Sequence, residues 1–185
     1  MHIQQWFKLP NFFSDAECDE IIKYGRDSTL HFASVLDTSG LAARLTRNVK
    51  SNWIAHDKPN VTWLFDKVES CIRKVNDRTL KFELDHLESL QYLEYGPLQF
   101  YNTHVDNGAD VVATRKYTAI IQLSHPMAYS GGNLRIHSMN KERHAPRERG
   151  SVVIFPSHLP HRAKPVWYGK RKVLVAWMRG TNTLS

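Results

Sequence analysis

The sequence predicts a mainly β, α+β fold: a small jelly roll, or double-stranded β-helix, supported by N-terminal helices. Three observations predict it. The pattern changes character once, near residue 86, from helical periodicity to short strand-like segments. The later segments are rich in β-branched and aromatic residues and are separated by Gly, Pro and Asn. No repeat, low-complexity tract or Gly/Ser linker divides the 185 residues. A single domain over 1–185 is therefore expected, with a helical buttress over about 1–85 and a jelly-roll core over about 86–180.

In "SDAECDEIIKYGRD", Ser14 stands three residues before Glu17, the spacing of a capping box, and Cys18, Ile21 and Ile22 follow as an apolar stripe. Val61, Leu64, Phe65, Val68, Cys71, Ile72 and Val75 recur at three and four, which predicts a second amphipathic helix over roughly 60–76 with its stripe on a sheet. Strands are expected in "SLQYLEYG", "QFYNTHVDNG", "KYTAIIQLS", "GGNLRIH", "GSVVIFPS" and "RKVLVAWMRG". Between the helices lies "DTSGLAARLTRNVKSNW", Asp37 to Trp53, which reads as a long irregular segment of the kind that forms lids.

Composition narrows the partners. The formal net charge is +7, yet the basic residues are scattered apart from "NKERHAPRERG" and "GKRK", and no nucleic-acid-binding motif surrounds them. A solvated basic surface accounts for them, and nucleic acid is not the favoured partner. Cys18 and Cys71 lack any framework spacing, which fits buried thiols in a reducing compartment. "MHIQQWFKLP" has no continuous apolar core and no run is long enough to span a bilayer, so a cytoplasmic protein without a membrane partner is expected.

The chemistry concentrates in the second half. His104 and Asp106 are two residues apart at the end of a predicted strand, so both side chains project from one face. A third ligand from "GSVVIFPSHLPHRAKPV", either His158 or His161, would complete two histidines and one carboxylate, the facial triad of non-haem Fe(II) sites; imidazole and carboxylate also suit zinc. Arg171 opens the last apolar strand ten residues after His161, with Lys170 and Lys172 beside it. A fixed guanidinium near a metal with open positions suits a dicarboxylate co-substrate, whose far carboxylate it would take in a bidentate pair. Tyr95 and Thr118, on predicted strands, are candidate polar partners for that carboxylate.

These residues resemble a family. "YLEYGPLQFYNTHVD" is similar to the YxxGxxYxxHxD segment of the prolyl 4-hydroxylase-like branch of the 2-oxoglutarate- and Fe(II)-dependent dioxygenases. "GSVVIFPSHLPHRAKPVWYGKRKVLVAW" resembles that branch's second signature, "YTAIIQLSHPMAYSGGNLRI" the strand and Gly-Gly-x-Leu between the two, and "NFFSDAECDEIIKYG" its opening helix. The resemblance implies His104, Asp106 and His161 as iron ligands, Arg171 as the residue that grips 2-oxoglutarate, and Tyr95 and Thr118 near the same carboxylate. It puts Trp177 at a position that faces the substrate pocket in some relatives, and Arg47 and Trp53 are further candidates from the lid segment. It implies hydroxylation of a C–H bond, on a prolyl or other side chain of a peptide or protein, with 2-oxoglutarate and O2 consumed, succinate and CO2 released, and ascorbate as reductant. One departure is the short loop between Asp106 and Thr118, so substrate contacts made there by relatives do not carry over.

Two other functions are weighed against this. An AlkB-type nucleic-acid demethylase would show a second arginine in an RxNxTxR pattern where "RKVLVAWMRG" has apolar residues. A catalytically inactive jelly-roll binding module would show a broken triad, whereas every ligand position here is filled.

Overall fold

In a computed structural model of the chain, which describes residues 6–27, 29–32, 45–108, 112–138 and 141–181, Ser14 caps helix α1 (Asp15–Arg26). The Glu17 backbone N–H donates to Ser14 Oγ at 3.2 Å and the Ser14 N–H to Glu17 Oε2 at 2.7 Å, the reciprocal pair that satisfies two orphan donors. Strand β1 (Phe7–Leu9) precedes α1. Helix α2 (Thr62–Asp77) buries Leu64, Phe65, Val68, Cys71, Ile72 and Val75, the stripe expected from their spacing. Both cysteines are buried free thiols; burial pushes Cys18 up to about 11 and Cys71 up to about 12. Among the described residues no helix is long and apolar enough to cross a membrane.

The first half is less helical than its periodicity suggests. It also contributes β2 (His31–Phe32), β3 (Arg47–Asn48), β4 (Lys50–Ile54) and β5 (Leu84–Leu87). The segment read as an irregular lid is therefore strand over much of its second part, and Arg47 and Trp53 sit on strands; residues 37–44 of it lie outside the described residues. In "KSNWI" only Ser51 and Ile54 are buried, so the alternation that announces a strand is diluted by polar residues. Pairing with a neighbour distant in sequence supplies what the local pattern lacks.

The six strands expected in the second half are present as β6 (Leu90–Tyr95), β7 (Phe100–His104), β8 (Arg115–Gln122), β10 (Leu134–Ser138), β12 (Val152–Pro156) and β15 (Arg171–Gly180), and four short ones that the sequence pattern did not announce join them: β9 (Tyr129–Gly131), β11 (Lys141–His144), β13 (His161–Ala163), which carries His161, and β14 (Val166–Gly169). The major sheet runs β1-β12-β8-β15-β6-β4-β2 with β5 also on β15, and the minor sheet runs β11-β10-β13-β7-β3. β9 and β14 form a separate ribbon. All the named strand pairs are antiparallel, as a jelly roll requires.

The major sheet is covered on both faces. Leu90, Tyr92, Tyr117, Ile121, Leu174, Ala176 and Met178 pack on the helices, while Leu93, Tyr95, Ile120, Val173, Val175 and Trp177 face the minor sheet. Alternation thus persists, but both alternating sets are apolar, which is why "KVLVAWM" reads as one continuous run. α1 is pinned to the sheet by Arg26 on the buried Glu94 carboxylate at 2.5 Å, and by Asn52 Nδ2 donating to the Gly25 carbonyl at 3.1 Å.

Gly25 lies against the Tyr92 ring, and a Cβ there would overlap it. Helix propensity alone favours Gly25→Ala by about 1 kcal/mol. Collision with a fully buried ring reverses the sign, and we expect a loss of about 1–3 kcal/mol in urea denaturation. Unchanged or increased stability would show that α1 is free to shift off β6.

Candidate metal centre

β7 and β13 are antiparallel neighbours in the minor sheet, and their register sets His161 directly opposite His104. Residues paired this way hold their Cβ atoms about 5 Å apart. The chain leaves β7 two residues before Asp106, and the turn is fixed because the N–H groups of Asp106 and Asn107 both donate to the Ser157 carbonyl, at 2.9 and 3.2 Å. Three segments are thereby brought to one point.

Asp106 Oδ1 lies 3.5 Å from His104 Nε2, and Oδ2 lies 3.3 Å from His161 Nε2. One donor atom from each of the three residues falls within 4.8 Å of the others. Ligand bonds of about 2.0–2.2 Å to a shared cation place donor atoms about 3–3.5 Å apart; both Asp106–imidazole distances fall in that range, and the three donors lie close enough to converge on a single divalent ion. The imidazoles are set for it. His104 Nδ1 donates to the Asn102 carbonyl at 2.8 Å and His161 Nδ1 to the Leu159 carbonyl at 3.0 Å, which leaves each Nε2 lone pair directed at the carboxylate. His158, the alternative third ligand, is exposed to solvent.

The carboxylate is held as an anion. Burial alone would push Asp106 up, but the His161 and His104 imidazoles hold it well below the usual carboxylate range. Thr118 Oγ1 donates to Asp106 Oδ2 at 2.7 Å and meets Ser157 Oγ at 3.0 Å. The Thr118 hydroxyl therefore supports the metal-side carboxylate here rather than standing open for a co-substrate. Tyr101, which sequence reasoning missed, stacks on His104 with ring centroids 3.4 Å apart and planes 13° from parallel, and the Arg47 guanidinium lies 4.7 Å over Tyr101.

Arg171 and Tyr95 are paired across β15 and β6, and the guanidinium lies 5.4 Å from the Tyr95 ring centroid. Arg171 is 2% exposed and donates to Gln122 Oε1 at 3.3 Å. Among the described residues no carboxylate pairs with it. Gly132, at φ +62°, makes room: a Cβ there would stand 3.0 Å from Arg171 Cδ and 2.9 Å from Val166 Cγ2. Arg171, Tyr95, the three candidate ligands, Trp53, Trp177 and Arg47 all line one cavity of about 1020 Å³. Gln122 was legible in principle, as the one amide of β8, directly after the apolar Ala119, Ile120 and Ile121.

Beyond Asp106 the wall holds residues that no spacing announced. Arg115 Nε and Nη2 each donate to the Glu88 carboxylate at 2.7 Å, its guanidinium lies 4.0 Å over the Trp177 ring, and Arg179 Nε reaches the same carboxylate at 2.8 Å. Trp53 and Trp177 ring centroids are 5.9 Å apart.

Comparison with known proteins agrees with this geometry. Residues 90–179 match the model of the 2OG-Fe(II) oxygenase superfamily. A PKHD-type hydroxylase of Rippkaea orientalis is 30% identical over 154 residues, covering 76% of this chain and 64% of that protein. A PKHD-type hydroxylase of Crocosphaera subtropica is 28% identical over 155 residues, covering 80% and 67%. This chain thus spans about two thirds of these relatives' own length. In fold it is similar to a prolyl-4-hydroxylase from Pseudomonas putida, with TM-score 0.76, 20% identity and 96% and 93% of the two chains covered. A prolyl hydroxylase from Trichoplax adhaerens, solved with a hypoxia inducible factor peptide fragment, gives TM-score 0.81 at 18% identity and covers 95% and 84%.

Asp106→Ala should abolish tight binding of one divalent cation, read by titration with Mn(II). His161→Ala should do the same and His158→Ala should leave the affinity within about twofold, because His158 points to solvent. The reverse order for the two histidines would move the third ligand.

Proposed function

We propose that the chain is a member of the 2OG-Fe(II) oxygenase superfamily, whose model its residues 90–179 match, and an Fe(II)- and 2-oxoglutarate-dependent dioxygenase that hydroxylates a C–H bond of a peptide or protein, on a prolyl or another side chain. The observation that carries the reading is Arg171: a guanidinium buried to 2% exposure, without a carboxylate partner among the described residues, in the same cavity as the His–Asp–His set. An unpaired buried charge is costly, so the site calls for an anion, and an anion next to a candidate iron centre is what 2-oxoglutarate supplies.

In this reading His104, Asp106 and His161 hold Fe(II). When bound, the iron supplies the dioxygen chemistry that converts 2-oxoglutarate to succinate and CO2 and places one oxygen atom on the substrate carbon. The protein's share is orientation and exclusion. Arg171 receives the far carboxylate of 2-oxoglutarate with Tyr95 beside it, and Gln122 keeps the guanidinium fork aligned. Thr118, placed by family resemblance near the co-substrate, acts through Asp106, to which its hydroxyl donates. Leu93, Ile120, Val173 and Val175 line the floor and keep water away. Trp53, Trp177 and Arg47 face the side on which a substrate enters. The reading includes ascorbate as reductant and the cytoplasm as location.

Support for a peptide or protein substrate comes from prolyl hydroxylases of similar fold, one of them solved with a peptide fragment. The test is succinate formation from 2-oxoglutarate in the presence of Fe(II) and a proline-containing peptide library, with hydroxylated product identified by mass. Arg171→Ala should weaken 2-oxoglutarate binding by about tenfold or more while metal affinity changes little, since it removes a charge-assisted pair and not a ligand. Equal loss of both would remove Arg171 from the co-substrate. Gly132→Ala, which crowds Arg171 Cδ in a left-handed backbone conformation, should raise the 2-oxoglutarate dissociation constant in the same direction; a wild-type value would show that the cradle gives way freely.

A further inference from the structure

The inward residues of β15 fall at alternate positions: Arg171, Val173, Val175, Trp177 and Arg179 all line the cavity. One strand thus carries a guanidinium at the floor and a second one at the mouth. The charged side chains lining the cavity are Arg47, Arg115, Arg171 and Arg179 against Asp106 and Glu88, four guanidiniums for two carboxylates. A divalent cation and doubly negative 2-oxoglutarate cancel each other, so loading the site leaves that excess in place. Residues 33–44 and 109–111 together contain Asp37, Arg44 and Asp110, one net negative charge, and the balance stays positive with them included.

The excess is not spread evenly. It brackets the candidate ligands. On one side Arg47 lies over Tyr101, which stacks on His104. On the other, Arg115 Nη1 reaches the Asp106 carbonyl at 3.4 Å, and Arg115 and Arg179 share the single carboxylate of Glu88. Glu88 is itself anchored, because its N–H donates to the Trp177 carbonyl at 2.9 Å. The side chains of Arg115 and Glu88 are each 13% exposed and that of Arg179 is 24% exposed, so the trio is built into the wall, with Arg179 its most open member. Trp177, 6% exposed, lines the same cavity beneath Arg115, and its indole Nε1 is buried without a hydrogen-bond partner among the described residues.

We propose that the primary substrate is anionic, a peptide with an acidic side chain adjacent to the residue that is hydroxylated, and that Arg179 receives that carboxylate. The inference rests on the dioxygenase reading for what the cavity does, and on the wall charges for what it selects. Glu88 is the positioning residue: its carboxylate holds Arg115 over Trp177 and Arg179 beside it. A carboxylate entering there completes an alternating array of two guanidiniums and two carboxylates in a partly dry site, where such pairs are stronger than in water.

The test uses the full chain loaded with Mn(II) and 2-oxoglutarate, so that binding is read without turnover. Three peptides identical except for Asp, Asn or Lys beside a central proline are titrated, with tryptophan fluorescence as readout, at low and at 0.5 M salt. The Asp peptide should bind about tenfold more tightly than the Asn peptide and the Lys peptide more weakly still, with the spread shrinking at high salt. Arg179→Gln should bring the Asp and Asn peptides to within about twofold of each other; if that variant does not fold, as judged by thermal unfolding, the salt dependence of the Asp-to-Asn ratio on the unmodified chain decides. Asn binding equal to or tighter than Asp, an unchanged ratio in the variant, or a ratio that salt does not reduce overturns the inference and leaves the dioxygenase reading standing. Charge-ordered binding with no succinate formed on the Fe(II)-loaded protein supports the anion site and overturns the peptide hydroxylase reading. No binding by any of the three overturns both.

Discussion

The pairing of β13 with β7 is the constraint on which the rest of the structure depends. A candidate metal centre needs two imidazoles and a carboxylate within a few ångströms, and here His104 and His161 are 57 residues apart in the chain yet directly opposed in the minor sheet. A slip of one residue would turn His161 to the other face and leave Asp106 with one histidine. Several features hold that register. The Ser157 carbonyl takes two N–H groups from the turn that carries Asp106, β10 pairs with β13 on its far side, and each histidine is locked through Nδ1 to a backbone carbonyl two residues earlier. The last two bonds serve sheet and metal chemistry together, since they fix both the ring planes and the tautomer.

The major sheet solves a different problem. It must present a polar, cation-bearing wall to the cavity and an apolar wall to the helices, and antiparallel strands do both through alternation. On β15, Leu174, Ala176 and Met178 pack under the helices while Arg171 and Trp177 face inward. Burying an arginine in this way is unfavourable unless something pairs with it, and Gln122 is only a neutral partner. The fold holds this unfavourable contact in place with the apolar contacts on the other side of the same strand. Helices α1 and α2 therefore serve the site indirectly: they cover the outer face and keep the strand where Arg171 is aimed.

Charge follows the same division. Glu94, on the helix side of β6, is neutralised by Arg26 and Lys170 and ties α1 to the sheet. Glu88, on the cavity side just before β6, is shared by Arg115 and Arg179. The first is a closed ion cluster between elements. The second leaves positive charge facing a space large enough for a ligand, and so bears on recognition.

Much of this was legible in the sequence, because it rests on local physics. The capping box of Ser14 and Glu17, the stripe of α2, the six strand segments after residue 88 and the shared face of His104 and Asp106 follow from spacing along a single element. The residue types themselves pointed to metal and anion chemistry, which imidazole, carboxylate and guanidinium side chains serve when they gather. What the sequence could not show is which distant segments pair. β4 hides in a half-polar stretch because its partner β6 supplies the burial, and Arg47 and Trp53 therefore lie on strands. The spacing left His158 and His161 both open; the register to β7 puts one against Asp106 and the other in solvent. Tyr101 on His104 and the Glu88 bridge between two arginines were invisible for the same reason. Such contacts join residues from separate strands, and hydrophobic periodicity carries information only about the strand it is measured on.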